Sequence, residues 1–468
     1  MDYNMSINSF LNYPMAWKPE RGRLSRPIYK SLADALEDDI ASGKLPPGTK
    51  LPPQRELADY LDINFTTVTR AYKLCELKGL IYAVTGSGTF VSPSAAKPIT
   101  ISSAPEKESV IDLGFVSSFE STNSLVAEAL RAIAERGSVQ ELLDYSSPQG
   151  LPHQRRAAVK WLSRIGHTTD EDHLAIVSGT QNGLALSLLS LFEPGDRIAV
   201  DTFTYSNFLE LLMLLRLQPV PVAGDEEGMS AEALETAHRL TPLKGVFLMP
   251  SCLNPTTAVI SEGRKRDLAA VIRKCGLILI EDDMHSFFSE GKTWTLSSLI
   301  PESSVFISGT SKPLCSGLRV AFLSFPDRFK ERLLEGLFNV NVKTSSLDAE
   351  VVTALLLSGT AERILSEKKR LLREANGLFN SIFPGSPKGH PLSFWRPLPV
   401  SDTRPGAELE RILLSKGIRV YHSDRFLTGP RPAGCFLRIS LSTDPRLEEG
   451  LWRLKAELSG SQPPLHSG

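Results

Sequence analysis

Between residues 92 and 109 the chain reads "SPSAAKPITISSAPEKES", rich in Ser, Pro, Ala and Lys and without helical or strand period. Such a stretch suits a linker and interrupts any single continuous core. About ninety residues precede it, enough for one small domain, and about 350 follow, the size of a large α/β body. The division predicted is residues 1–92, a linker over 93–110, and a body over 111–468. Within the body a large part covers about 140–360 and a small C-terminal part about 361–460. The tail "SGSQPPLHSG" has linker composition and is expected to fray, and no internal repeat is visible.

Charge and cysteine content narrow the function classes. Lys plus Arg is 52 against 53 for Asp plus Glu, so no global field points to a polyanionic partner. The five cysteines, Cys75, Cys252, Cys275, Cys315 and Cys435, are odd in number and lack CxxC spacing, so neither a disulfide framework nor a zinc site is indicated. The first residues, "MDYNMSINSFLNYPMAWKPERGR", lack a basic start followed by an apolar core, and no run approaches the roughly 18 apolar residues of a membrane span. A cytoplasmic chain without a metal centre is expected.

The region before the linker has a sharp rhythm. Ile28, Leu32, Ala35, Leu36 and Ile40 repeat at helical spacing, and "SGKLPPG" stops that helix. "PQRELADYL" predicts a second helix, "DIN" a turn, and "FTTVTRAYKLCELKG" a third helix ending at Gly79. Two short helices across a turn make a helix-turn-helix whose second helix can enter a major groove. "LIYAVT", "GSG" and "TFV" then predict a two-stranded wing. The third helix displays Thr66, Thr67, Thr69, Arg70 and Lys73, side chains that suit phosphates and base edges and equally a solvated polar face. Residues 1–95 hold 11 Lys/Arg against 10 Asp/Glu, so any positive surface comes from arrangement rather than net charge.

"GTKLPPQRELADYL", "TTVTRAY", "GLI" and "GSGTFV", taken together, resemble the winged helix of GntR-type transcription factors. The resemblance implies binding of double-stranded DNA through Arg55, Thr66, Thr67, Thr69, Arg70, Ser87 and Gly88. One departure is Phe65, where many such sequences carry Arg at the start of the recognition helix.

The body holds fragments that suit chemistry, each with a plainer use. "AIVSGTQNGLALSLLSLF" passes from a strand through Ser178, Gly179 and Thr180 into a helix, a turn that can bind an anion or merely connect strand to helix. Tyr205 in "TFTY" can cover a flat ring or fill core space, and Asn254 in "NPT" can bond a ligand oxygen or mark a turn. Glu281, Asp282 and Asp283 end an apolar strand, where three acids suit a metal, a cation partner or a solvated cap. In open α/β sheets ligands bind at the carboxyl ends of strands, where Asn254 and Asp282 fall. Lys312 follows in "SGTSKPLCSGLRVAF", seven residues before Arg319. A ring bearing a phosphate, a phenolic oxygen, a pyridine nitrogen and an aldehyde would need a phosphate turn, an aromatic cover, an oxygen partner, a carboxylate and an amine, which this order supplies.

The order "YSSPQG", "SGTQ", "TFTY", "NPT", "IEDD", "SGTSK" and "GLR" resembles the fold type I pyridoxal-phosphate enzymes of the aspartate aminotransferase group. That resemblance implies a multidomain chain with an α/β body that binds pyridoxal 5'-phosphate. It implies phosphate contacts from Ser178, Gly179, Thr180, Ser311 and Arg319, stacking by Tyr205, bonds from Asn254 and Asp282 to the phenolic oxygen and pyridine nitrogen, and Lys312 as the Schiff-base lysine. Arg438 in "GCFLRISLS" matches the position that grips an amino-acid carboxylate, or else is a structural strand arginine. The departure is Met284 in "EDDMH", where relatives carry Tyr; the lost hydroxyl contact is recovered only if His285 reaches in. A winged helix joined to such a body resembles the MocR-type subgroup of GntR regulators. It implies a homodimeric transcription regulator that senses an amino compound or the cofactor itself, the alternative being a working aminotransferase with a DNA-binding appendage.

Overall fold

A computed structural model describes residues 15–41, 44–45, 48–77, 79–84, 88–92, 110–289, 294–401, 404–429, 432 and 434–459. The chain divides into two compact units, residues 1–99 with 429–432 and residues 100–428 with 433–468.

The first unit is built from α1 (Ile28–Ala41), α2 (Gln54–Leu61), α3 (Phe65–Leu77) and an antiparallel hairpin, β1 (Ile81–Val84) with β2 (Gly88–Val91). Leu32, Leu36 and Ile40 of α1, Leu57 and Leu61 of α2, and Val68, Tyr72 and Cys75 of α3 close one apolar core. The turn between α2 and α3 is set locally. Asp62 ends α2 in the left-handed region at φ 48°, and the Asn64 side chain accepts from the Thr66 amide at 2.8 Å to start α3. The Tyr72 hydroxyl donates to the Pro52 carbonyl at 2.9 Å and ties α3 to the strand-like segment before α2. That segment also joins the wing: the Leu51 amide donates to Thr89 and the Val91 amide to Thr49. The hairpin read from sequence therefore has a third edge.

The second unit carries a seven-stranded sheet of β3 (Leu174–Val177), β4 (Arg197–Asp201), β5 (Gln218–Val222), β6 (Gly245–Leu248), β7 (Ile278–Asp282), β8 (Ser304–Gly309) and β9 (Ala321–Ser324), in the order β3-β9-β8-β7-β6-β4-β5. β9 is antiparallel to both its neighbours, while the remaining pairs are parallel. Six strands thus point one way, and the loops after β3, β4, β6, β7 and β8 leave from the same edge. Most of these strands are buried on both faces, which is why their sequences are apolar runs rather than alternations. Beyond the sheet lies the 23-residue helix Thr360–Ile382, followed by a three-stranded antiparallel sheet of β10 (Trp395–Val400), β11 (Tyr421–His422) and β12 (Cys435–Ser440), with β12 central. The segment after the linker returns to this C-terminal part, since Ile111–Asp112 pairs in parallel with Ile418–Arg419.

Candidate ligand cavity and nucleic-acid interface

The co-directional loops open on a cavity of about 670 Å³. At the end of β3, Gly179 adopts φ +87° and caps the helix Thr180–Leu191, whose first amides have no partner within the helix. A Cβ at Gly179 would stand 2.5 Å from an Arg319 guanidinium nitrogen, so only glycine lets that guanidinium lie over the turn. Arg319 Nη1 donates to Ser311 Oγ at 3.1 Å. Helix amides, a hydroxyl and a guanidinium together suit a phosphate. Thr180 lines the cavity. Ser178 turns its hydroxyl elsewhere: it accepts from Asn341 Nδ2 at 2.7 Å and meets Thr344 Oγ1 at 3.2 Å.

The three acids at the end of β7 point to three different places. Glu281 accepts from the Leu296 and Ser297 amides, and Asp283 accepts from the His285 and Ser286 amides and the Ser251 hydroxyl. Asp282 is buried, and neither of its carboxylate oxygens has a protein partner among the described residues. Burial, and then the nearby Asp283 charge, push it up to about 8. An unpaired buried carboxylate is costly, and a cationic N–H is the group that would relieve it. Among the described residues no cluster of His, Cys, Asp and Glu suits a metal ion. Tyr205 and Asn254 both line the cavity. Burial, and then the Asp282 charge, raise the Tyr205 hydroxyl to about 12 against the opposing pull of Arg438 and Arg319, so all three charges are felt at one phenol.

Lys312 sits on the turn after β8 and lines the same cavity. Its Nζ donates to the carbonyls of Val116 at 2.5 Å and Ser117 at 3.1 Å. Burial, followed by the cations Lys368, Arg438 and Arg319, lowers its amine to about 7. Arg438, in the middle of β12, is 2% exposed. It donates to Asn254 Oδ1 at 3.3 Å and to the Gly114 carbonyl, while its Nε has no partner among the described residues. Met284 lines the cavity and brings no hydroxyl. His285 does not line it: the ring is buried edge-on to Trp395, Phe394 and His390, and burial holds its pKa well below the usual value. The cavity thus gathers Thr180, Tyr205, Asn254, Ser311, Lys312, Arg319 and Arg438; Gly179 and Asp282 do not line it, though the Asp282 charge acts on Tyr205.

Phe115, Ser117 and Trp395 also line the cavity, and Lys368 braces it from behind. No local pattern marks them. Ser117 and Lys312 are 195 positions apart, and only the return of the post-linker segment brings them together.

On the first unit, Thr66 is exposed at the start of α3, and its hydroxyl meets the capping Asn64 at 2.8 Å. Thr69 donates its hydroxyl to Gln54 at 2.8 Å, bridging α3 to α2. Arg70 is exposed and lies over the Tyr29 ring at 4.4 Å, and Thr67 borders the open concavity beside Tyr29. Phe65 is 43% exposed, with Arg55 over its ring at 5.8 Å, so a cation stands near the position where Phe replaces Arg. Gly88 has φ +126°, and a Cβ there would meet Lys50 at 2.9 Å. Ser87 lies outside the described residues.

The two units match two known families. "Bacterial regulatory proteins, gntR family" matches residues 28–91, and "Aminotransferase class I and II" matches residues 110–454. The HTH-type transcriptional regulator YdeF of Bacillus subtilis (strain 168) is 36% identical over 446 residues, 95% of this chain and 96% of the relative. The HTH-type transcriptional regulator YdcR of Escherichia coli (strain K12) is 30% identical over 63% of this chain and 69% of its own length. The second unit superimposes on the kynurenine aminotransferase of Pyrococcus horikoshii, solved in complex with PMP, with a TM-score of 0.69 at 19% identity, covering 76% of this chain and 92% of the other. This fold is that of the class I and II aminotransferases. The chain belongs to the GntR-family HTH transcriptional regulators that carry an aminotransferase-like body, the MocR type.

Proposed function

We propose that residues 1–92 bind operator DNA, that residues 93–110 link them to the body, and that residues 111–468 hold pyridoxal 5'-phosphate and sense an amino compound or the cofactor itself. The observation that carries this reading is the buried, unpartnered carboxylate of Asp282 near a cavity lined by Lys312. A pyridinium N–H matches the first and an aldehyde the second. When bound, the cofactor supplies that aldehyde and an electron-withdrawing ring.

The residues divide the work. Gly179, Thr180, Ser311 and Arg319 would hold the phosphate. Ser178 would act through its bonds to Asn341 and Thr344, fixing the turn, rather than by direct contact. Tyr205 would cover the ring, Asn254 would donate to its phenolic oxygen, and Asp282 would accept the pyridine proton. Lys312, lowered to about 7, holds a substantial neutral fraction near neutral pH, which an ordinary lysine near 10.5 does not. Arg438 would take an effector's carboxylate with the nitrogen that has no partner among the described residues.

Met284 favours sensing over turnover, since no hydroxyl stands where aminotransferases carry tyrosine and His285 is packed away from the cavity. Cofactor-dependent signalling between units is read as a population shift of the body that the linker reports to the DNA-binding unit, in a homodimer. The test is borohydride reduction of purified protein after incubation with pyridoxal phosphate, followed by peptide mass analysis. The reading expects the reduced adduct on Lys312 and a visible absorbance band; an adduct on another lysine, or none, overturns it.

A further inference from the structure

We propose that Lys368 is a positioning residue for Lys312: it clamps the turn carrying Lys312 and places a buried positive charge behind that amine. The proposal rests on the reading that Lys312 captures pyridoxal phosphate. Lys368 projects from the long helix Thr360–Ile382 and is fully buried, at 0% exposure. A lysine is almost never placed so without partners that require it. Here Nζ donates to the carbonyl of Lys312 at 2.9 Å, the carbonyl of Leu314 at 2.7 Å and Oγ of Ser118 at 2.6 Å.

The proton count favours its charged form. Ser118 gives its own hydroxyl proton to the Lys312 carbonyl at 3.1 Å, so its oxygen can only accept from Lys368. Three acceptors then face Nζ, and only the ammonium has three protons to give. Burial works against that form, pulling Lys368 down to about 7. The triad of acceptors offsets part of this cost, and a neutral apolar side chain would fill the same space without it. What the cation adds is connection and field. It ties three distant segments, around residues 118, 312 and 368, into one knot, and it is the first of the charges that lower Lys312. The other groups facing Lys312 are Arg438, Arg319 and His285, with Glu120 lining the same cavity and Cys315 beside Lys368. In capture, the neutral Lys312 amine adds to the aldehyde carbon, and water leaves as C=N replaces C=O. A cation behind the turn raises the neutral fraction available for that step.

The experiment measures Lys312 directly in the full chain without cofactor. Competitive acetylation by acetic anhydride across pH, quantified on the Lys312 peptide by mass, gives the midpoint of its titration. Lys368→Met should move that midpoint upward by about half a unit or more, and should cut pyridoxal phosphate trapped on Lys312 by borohydride at pH 7 by roughly twofold. Ser118→Ala keeps both lysines, removes one acceptor, and should move the midpoint upward by less; it serves where Lys368→Met does not fold. A folded variant of either kind with the wild-type midpoint overturns the proposal. Shifted midpoints together with no capture by wild type would retire the cofactor reading and leave the role of Lys368 standing.

Discussion

Gly179 and Arg319 occupy one another's space: a Cβ on the glycine would lie 2.5 Å from the guanidinium, at a backbone φ of +87° that side chains avoid. Gly179→Ala should therefore cost about 1–3 kcal/mol in backbone strain and displace Arg319 from Ser311. The expected result is roughly tenfold weaker binding of pyridoxal phosphate, by fluorescence titration, with far-ultraviolet circular dichroism unchanged. Unaltered affinity would remove the turn from the phosphate site.

Asp282 predicts a pH dependence of stability with a definite sign. Its folded value is raised from 3.8 to about 8, so between these values the folded chain keeps a proton that the unfolded chain has lost. This contribution is present at low pH and is lost as pH rises through about 8. Measured without added cofactor, Asp282→Asn should lose less Tm than wild type between about pH 5 and 8.5. Added pyridoxal phosphate should raise the Tm of wild type more than that of the variant, because only the carboxylate can accept the pyridinium proton as an ion pair. Parallel Tm profiles would contradict the assignment.

Much of this architecture was legible in local sequence. The helices of the first unit follow from the spacing of Leu32, Leu36 and Ile40 and from the stop "SGKLPPG", because a short helix on a small core must bury one stripe. The strand ends bearing Asp282 and Lys312 were visible as apolar runs breaking into polar residues. What local sequence does not carry is side-chain direction across long separations. Ser178 reads as a phosphate contact, yet its hydroxyl is taken by Asn341 and Thr344, 163 and 166 positions away. Lys368 carries no local mark in the sequence, and only the fold reveals that it is buried. The reversed direction of β9 is likewise a matter of pairing, which its sequence "AFLS" does not encode.

On the DNA side, Arg70 stacks on Tyr29 and leaves its charge exposed, while the Thr69 hydroxyl is held by Gln54. Arg70→Ala should weaken duplex binding and reduce the slope of log affinity against log salt by about 1. Thr69→Val should lower thermal stability by about 0.5–1.5 kcal/mol, through the lost bridge between α2 and α3. Fluorescence anisotropy over a salt series and thermal melts distinguish the two. An unchanged salt slope in the Arg70 variant would exclude a phosphate contact.

Met284 gives the test of turnover. With the cofactor loaded, Met284→Tyr should restore a hydroxyl at the cavity and raise keto-acid formation from amino donors by about tenfold or more over a low wild-type rate. Equal and sustained turnover in both proteins would make the body a working aminotransferase.

The central claim is that the state of the Lys312 site sets DNA affinity. Sequencing the DNA that copurifies with the bound protein identifies the operator, and anisotropy on that operator then gives Kd with no addition, with pyridoxal phosphate, and with pyridoxal phosphate plus a panel of small amino acids and amines. The account predicts that Kd for wild type changes with the cofactor or with one of the amines, in step with the visible absorbance band and without keto-acid accumulating, and that Lys312→Ala shows no such change. An operator affinity that is the same in every condition, and the same in Lys312→Ala, would contradict it.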